Sequence, residues 1–86
     1  MSGKELLSQL ASLNEDCRRA LEEDDFPRLR ALMQLKKELV ALLKNFSFTF
    51  EDIPEIRKAL REEEELASLA LQKKKLLEER LANVFH

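Results

Sequence analysis

The chain has 86 residues, 37% of them charged, and its formal net charge at pH 7 is −2. This length predicts one small domain, over residues 1–86, whose core is marginal unless a partner adds to it. Because acidic and basic residues nearly balance, neither nucleic acid nor an anionic membrane is expected as a partner. The abundance of Leu, Glu, Lys, Arg and Ala, with one Gly and two Pro, indicates a helical bundle or coiled coil.

The first helix is predicted over about residues 4–23. Its apolar residues follow one another at intervals of 4, 3, 4 and 3 positions, which places them on one face of the helix. They are Leu6, Leu10, Leu13, Cys17 and Ala20. Cys17 is the only cysteine, so no intramolecular disulfide can form, and its place on the apolar face favours a core residue over a reactive thiol.

Both prolines stand two residues after an aspartate, in Asp25-Phe26-Pro27 and in Asp52-Ile53-Pro54. An N-cap aspartate accepts hydrogen bonds from the free N–H groups of the first helical turn. Proline is tolerated in that turn because it has no N–H to lose and its φ is already helical. The two prolines therefore predict two helix starts, and Glu55 would complete an approximate capping box with Asp52.

The second helix is predicted over about residues 26–46. Its apolar residues form two rows along the helix. The first row is Leu32, Leu35, Leu39, Leu42 and Phe46, and the second is Leu29, Met33, Val40 and Leu43. A helix with one neighbour needs only one apolar row. The second helix is therefore expected to be the middle helix, between the other two.

A short connection follows, in which Phe46, Phe48 and Phe50 alternate with polar residues. Alternation of this kind is typical of a strand, but the rest of the chain offers no partner strand, so a loop is predicted. Phe48 and Phe50 are expected to cap the end of the bundle. The alternative is that they are exposed aromatic contacts for a partner.

The third helix is predicted over about residues 53–84. It would be about 48 Å long, against about 30 Å for each of the others, at ~1.5 Å per residue. It should therefore project, bend or be covered by another molecule. The acidic run at 62–65 and the three lysines at 73–75 are interpreted as a solvated face. Together these elements predict an all-α, antiparallel three-helix bundle with a long C-terminal helix.

The residues of the chain provide little for catalysis. His86 is the only histidine, no Cys/His cluster has zinc spacing, and a single Gly excludes a phosphate-binding glycine loop. The acidic run spreads around a helix instead of converging. No catalytic residue, metal or cofactor is therefore predicted, and the protein is not expected to be an enzyme. No signal peptide or membrane span is visible, so a cytoplasmic location is expected.

Binding through apolar helix surface is the remaining role. Leucines of the third helix occupy more than one face, so a three-helix monomer would leave some of them in water. The predicted partner contacts are Leu66, Leu69, Leu76 and Leu77, with Phe48 and Phe50 as weaker candidates. The alternative is a structural module in which the surplus leucines meet a second copy of the chain, as a homodimer or coiled coil.

The stretch LASLNEDCRRALEEDDFPRLRALMQLKKELVALL resembles the N-terminal region of FliT-type flagellar export chaperones. The likeness lies in a first helix that ends Ala20-Leu21-Glu22-Glu23, in the following Asp25-Phe26, and in a second helix with Lys36-Lys37 before its aliphatic end. EEEELASLALQKKKLLEERL is similar in kind to the long third helix of that family. The resemblance implies a cytoplasmic type III secretion chaperone for the flagellum. It would hold a helical segment of an export substrate such as the filament cap protein.

Overall fold

Three helices form almost the whole structure in the computed structural model, which describes residues 2–84. Helix α1 spans Gly3–Glu22, α2 spans Phe26–Leu43 and α3 spans Ile53–Val84, with a single 3-10 turn at Phe50–Asp52 before α3. The described residues contain no strand. The prediction of an all-helical protein in which three helices pack together is therefore confirmed.

Helix α1 begins at a reciprocal cap. The Glu5 N–H donates to the Ser2 hydroxyl at 3.2 Å, and the Ser2 N–H donates to the Glu5 carboxylate at 3.4 Å. Together they satisfy two of the free donors at the start of the helix. Gly3, in the first turn, lies close to the ring of Phe48: a Cβ here would be 2.8 Å from Phe48 Cε1.

Helix α1 ends in a Schellman turn. The Asp25 N–H donates to the Ala20 carbonyl at 2.9 Å, and the Asp24 N–H donates to the Leu21 carbonyl at 3.2 Å. Asp24 adopts φ = 56°, a left-handed conformation that aspartate tolerates better than most non-glycine residues. The acidic run therefore stops α1 and starts α2 within three residues, and no glycine signals the end of the first helix.

Helix α2 begins as the proline pattern predicts and ends earlier than predicted. The Arg28 N–H donates to the Asp25 carboxylate at 3.3 Å, so Asp25 is the N-cap and Pro27 lies in the first turn. The helix ends at Leu43 and does not reach Phe46. The last turn tightens because the N–H groups of residues 45 and 46 donate to carbonyls three residues back.

The second aspartate–proline pair also lies at a helix start, but the predicted N-cap role of Asp52 is wrong. Its carboxylate accepts hydrogen bonds from the Thr49 N–H at 2.9 Å and from the Thr49 hydroxyl at 3.3 Å. Thr49 is thus the capping residue of the 3-10 turn, and Asp52 is its third-position partner. The turn continues directly into α3 at Ile53, so the cap lies one turn earlier than the proline spacing suggests.

The middle helix is α1, and the prediction that α2 is the middle helix is wrong. Both other helices pack extensively on α1, whereas α2 and α3 approach each other much less. Seven residues of α1 are buried, against one each in α2 and α3. The main core cluster is Leu6, Leu10, Leu39 and Ala59, with Leu13, Val40, Leu43 and Phe46 packed against it.

Helix α3 projects beyond the other two helices. The ion pair between Lys73 Nζ and Asp24 Oδ1, at 3.1 Å, joins α3 to the turn between α1 and α2. The projecting segment, residues 74–84, is exposed throughout and is about 16 Å long at ~1.5 Å per residue. Of the three outcomes expected for a helix of this length, projection is the one that the structure shows.

Shortening a buried core side chain of α1 should strongly destabilise the protein. Leu6 is 1% exposed, so Leu6→Ala removes buried methyl groups and leaves a cavity, at a cost of about 2–5 kcal/mol. Leu35→Ala is the matched control because Leu35 is 52% exposed, and it should cost less than about 1 kcal/mol. Urea unfolding followed by circular dichroism measures both. Equal losses would contradict a core centred on α1.

Candidate functional site

An open apolar groove runs between α2 and α3, with α1 as its floor. It consists of two hollows, one nearer the start of α3 and one further along it. The first hollow has a volume of about 410 Å³ and an almost wholly apolar lining. It is lined by Leu7, Leu10, Val40, Leu43, Phe48, Ile56, Ala59, Leu60 and Glu63. We call the two hollows together the α2–α3 groove.

The second hollow is smaller, at about 170 Å³, and lies closer to the turn between α1 and α2. It is lined by Cys17, Leu21, Leu29, Met33, Lys36, Glu63, Leu66, Ala67 and Ala70. Glu63 lines both hollows, so they are neighbouring parts of one surface. All three helices contribute to each hollow, which makes the groove the place where a further chain segment would contact the whole bundle.

A single ion pair spans the middle of the groove. Lys36 Nζ of α2 lies 2.6 Å from Glu63 Oε1 of α3, and the two side chains are 15% and 43% exposed. Glu63 Oε1 itself is buried and has no hydrogen bond of acceptable geometry within the described residues, so the nearby charge of the lysine offsets only part of the cost of its lost hydration. The pair joins two helices that otherwise contact each other little, and it separates the two apolar hollows.

The interpretation of the acidic run as a solvated face is wrong for Glu62 and Glu63. Glu62 accepts a hydrogen bond from the side-chain amide of Asn14 at 3.0 Å, and Asn14 is only 3% exposed. Glu63 forms the ion pair across the groove. The next two glutamates of the run are exposed, as predicted. Lys73, which is half-buried against Asp24, is a further exception.

Cys17 lies in the floor of the second hollow as a buried, free thiol, in agreement with the predicted core role. Burial raises the pKa of this thiol because the thiolate would lose its hydration. Lys36 acts in the opposite direction, while Glu63 and Asp16 add to the increase in the pKa. A thiol with a raised pKa is a poor nucleophile at neutral pH, so the chemistry of this position is that of a small apolar residue.

The predicted contact residues fall in several places. Phe48 and Leu66 line the α2–α3 groove. Leu69 lines a small hollow on the other side, between α1 and α3, and Leu76 and Leu77 lie on the projecting segment. The structure thus brings two of the predicted residues together in the groove and distributes the others along α3.

The two phenylalanines of the connecting loop behave differently. Phe48 is half-buried at the end of the first hollow, next to Gly3, a position that fits both the predicted cap and the alternative of a partner contact. Phe50 is 89% exposed, and the prediction that it caps the bundle is wrong. Its place in the 3-10 turn before α3 directs its ring away from the core.

Several groove residues were not among the predicted contacts, although the sequence carried a signal for those on α2. The second apolar row of that helix supplies Leu29, Met33, Val40 and Leu43 to the groove. The sequence predicts that this row contacts a neighbouring helix. Val40 and Leu43 do pack against the core cluster, but the row also borders the open hollows. On α3, the groove residues Ile56 and Leu60 belong to the regular apolar start of the helix.

Other surfaces in the described part of the chain are weaker candidates for a functional site. A hollow of about 570 Å³ between α1 and α3 is lined mostly by polar and charged residues. Within residues 2–84, no group of His, Cys, Asp and Glu side chains is arranged to hold a metal ion. No helix in the same range has the length and apolar character required to cross a lipid bilayer. His86 lies outside the described residues.

Comparisons with protein-family models, with curated proteins and with solved structures gave no match.

The buried thiol should make stability depend on pH in the alkaline range. The folded protein keeps the Cys17 proton at pH values where the unfolded chain has lost it, because burial raises the pKa in the folded state. Rising pH then favours the unfolded chain, and the free energy of unfolding should fall above about pH 8.5. Urea unfolding between pH 7 and 9.5 under reducing conditions measures this slope. Cys17→Ala should flatten the slope, and an unchanged slope in that variant would contradict a buried thiol.

Proposed function

We propose that this chain is a small, non-catalytic binding protein that holds an amphipathic helix of a partner protein in the α2–α3 groove. The observation that carries the proposal is the open apolar lining of that groove. Its two hollows lie directly over the core helix α1 and have volumes of about 410 and 170 Å³. Replacing the water in such hollows by an apolar side chain lowers the free energy of the system, because apolar surface is removed from water.

The proposed fold for this role is an antiparallel three-helix bundle with a long third helix. Its support is that α1 and α2 are joined by three residues, and that Lys73 of α3 reaches Asp24 at the α1–α2 turn. The wide side of this bundle lies between α2 and α3. A fourth helix placed there would contact all three helices and complete an arrangement typical of four-helix bundles.

The specific form of the proposal is a cytoplasmic type III export chaperone of the flagellar kind. The sequence resemblance is its support, and the partner would then be a helical segment of an export substrate such as the filament cap protein. In this mechanism the groove covers the apolar face that the substrate later uses for its own assembly. Binding needs no cofactor and no catalytic group, because the substrate is held only by apolar contact and released by dissociation.

A charge placed in the groove wall should abolish partner binding without unfolding the protein. Leu60 lines the first hollow and is 59% exposed, so Leu60→Glu is tolerated in the free protein but buries an unpaired carboxylate in the complex. Titration calorimetry with the C-terminal segment of the filament cap protein should show at least about tenfold weaker binding. Leu35→Glu, at a residue of similar exposure that does not line the groove, is the matched control.

The same titration tests the residues on other faces of α3. If Leu69→Glu and Leu76→Glu weaken binding with helicity unchanged, the partner extends from the groove along α3. Unaltered binding in both variants would confine the partner to the groove. If the wild-type protein binds the segment, and Leu60→Glu and Leu35→Glu weaken that binding equally, the groove is not the binding site.

A second candidate function is homodimerisation as a structural module. The projecting segment of α3 favours it, because Leu76, Leu77, Leu81 and Val84 are all exposed there. Leu77, Leu81 and Val84 are spaced by four and three residues and so lie on one face. A second copy of the chain could cover this face by helix pairing.

Sedimentation equilibrium distinguishes the two functions. If the chain is a structural dimer, Leu77→Lys with Leu81→Lys should convert it to a monomer, because two lysines would be buried in the dimer interface. The substitutions lie on an exposed segment, so the helical circular dichroism signal should be retained. A wild-type protein that is monomeric at high micromolar concentration would exclude the structural dimer and leave the partner-binding role.

A further inference from the structure

The rim of the α2–α3 groove is basic, although the protein as a whole is slightly acidic. Along α2 and its C-cap residue Lys44, the groove residues Met33 and Val40 alternate with Lys37 and Lys44 at intervals of four, three and four residues. Residues with this spacing lie on one helix face. Both lysines are exposed, so they stand at the open edge of the α2 wall.

The α3 wall has a similar edge. Leu60 and Ala67 line the groove, and they alternate with Arg57 and Glu64 at intervals of three, four and three residues. Both charged residues are exposed. The two rims together hold three cations and one anion, in contrast to the net charge of −2 for the chain.

None of the three rim cations is neutralised within the described residues. The ion pairs there involve Arg18, Arg19, Lys36, Lys58 and Lys73, and none involves Lys37, Lys44 or Arg57. The acidic partners that these three cations lack must come from solvent ions or from a bound molecule. Low-dielectric groove walls strengthen the attraction between such cations and an anionic ligand.

The ion pair across the groove sets a second condition on the ligand. Lys36 and Glu63 separate the hollows, and the groove residues of α3 fall into the groups 56–60 and 66–70. The centres of these groups are about ten residues apart, or about 15 Å along the helix. An apolar side chain placed over the ion pair would remove its remaining water without replacing it, which is unfavourable.

We infer that the α2–α3 groove selects an acidic amphipathic helix: two apolar clusters about ten residues apart, an uncharged polar residue between them, and glutamate or aspartate on both flanks. This inference rests on the proposed function, since it specifies the helix that the groove holds. The clusters fill the two hollows, the central polar residue meets the ion pair, and the acidic flanks neutralise the basic rims.

The test uses synthetic, fluorescently labelled helical peptides and measures binding by anisotropy. The parent peptide has two leucine clusters ten residues apart, glutamine between them and glutamate on both flanks. A second peptide has lysine in place of every glutamate, and a third has leucine in place of the central glutamine. At low salt the acidic parent should bind at least about tenfold more tightly than the lysine peptide. The difference should shrink at 0.5 M salt, where the screening length falls to a few ångströms.

Two protein variants assign the effect to the rim. Lys37→Glu with Lys44→Glu should reverse the preference between the acidic and the lysine peptide. Lys4→Glu with Lys58→Glu changes the net charge equally on the opposite side of α1 and α3, and should leave the preference unchanged. Circular dichroism confirms that both variants remain helical.

For the central position, the glutamine parent should bind more tightly than the leucine peptide. Lys36→Met with Glu63→Leu, which makes the centre of the groove apolar, should reverse that order.

The outcomes separate this inference from the proposed function. Equal binding of the acidic and lysine peptides to the wild-type protein would overturn the charge selection while leaving helix binding intact. Equal effects of the two charge-reversal variants would also overturn it, because the preference would then follow net charge alone. No binding of any peptide at millimolar concentration would overturn both the inference and the proposed function.

Discussion

The burial of α1 on two of its faces is the constraint on which the rest of the structure depends. The heptad-spaced row Leu6, Leu10, Cys17 and Ala20 and a second row of Leu7, Asn14 and Leu21 are all buried. One helix thus provides the apolar contact for both of its neighbours. In a chain of 86 residues the fraction of surface buried on folding is small, and apolar side chains of α2 and α3 remain exposed.

The groove is a consequence of this arrangement. Because α2 and α3 both pack on α1 and approach each other much less, apolar side chains on their facing sides border open space. Met33 and Leu60 are more than half exposed for that reason. Side chains that would complete the core of a four-helix bundle form the walls of two hollows here.

Polar contacts near the middle of the bundle determine how α3 packs against the other two helices. Asn14 reaches Glu62 on one side of α3, and Lys36 reaches Glu63 on the other. Partly buried polar pairs of this kind are stable only in one alignment, because a shift along the helix axis would leave a charge buried without a partner. The acidic run therefore helps to define the register of the bundle. It also places the ion pair where the two hollows meet.

The sequence by itself determined the features that depend on residues close together in the chain. Asp25 and Pro27 predicted the start of α2, regular apolar spacing predicted three helices, and the length of α3 predicted that it would project, bend or be covered by another molecule. The middle position of α1 was hidden because polar Asn14 interrupts its second row, and two complete rows on α2 pointed to the wrong helix. Whether a row such as Leu29, Met33 and Val40 meets a neighbour or solvent depends on the angles at which helices pack. That information lies in contacts between distant residues, so only the tertiary structure decided that this row lines a groove.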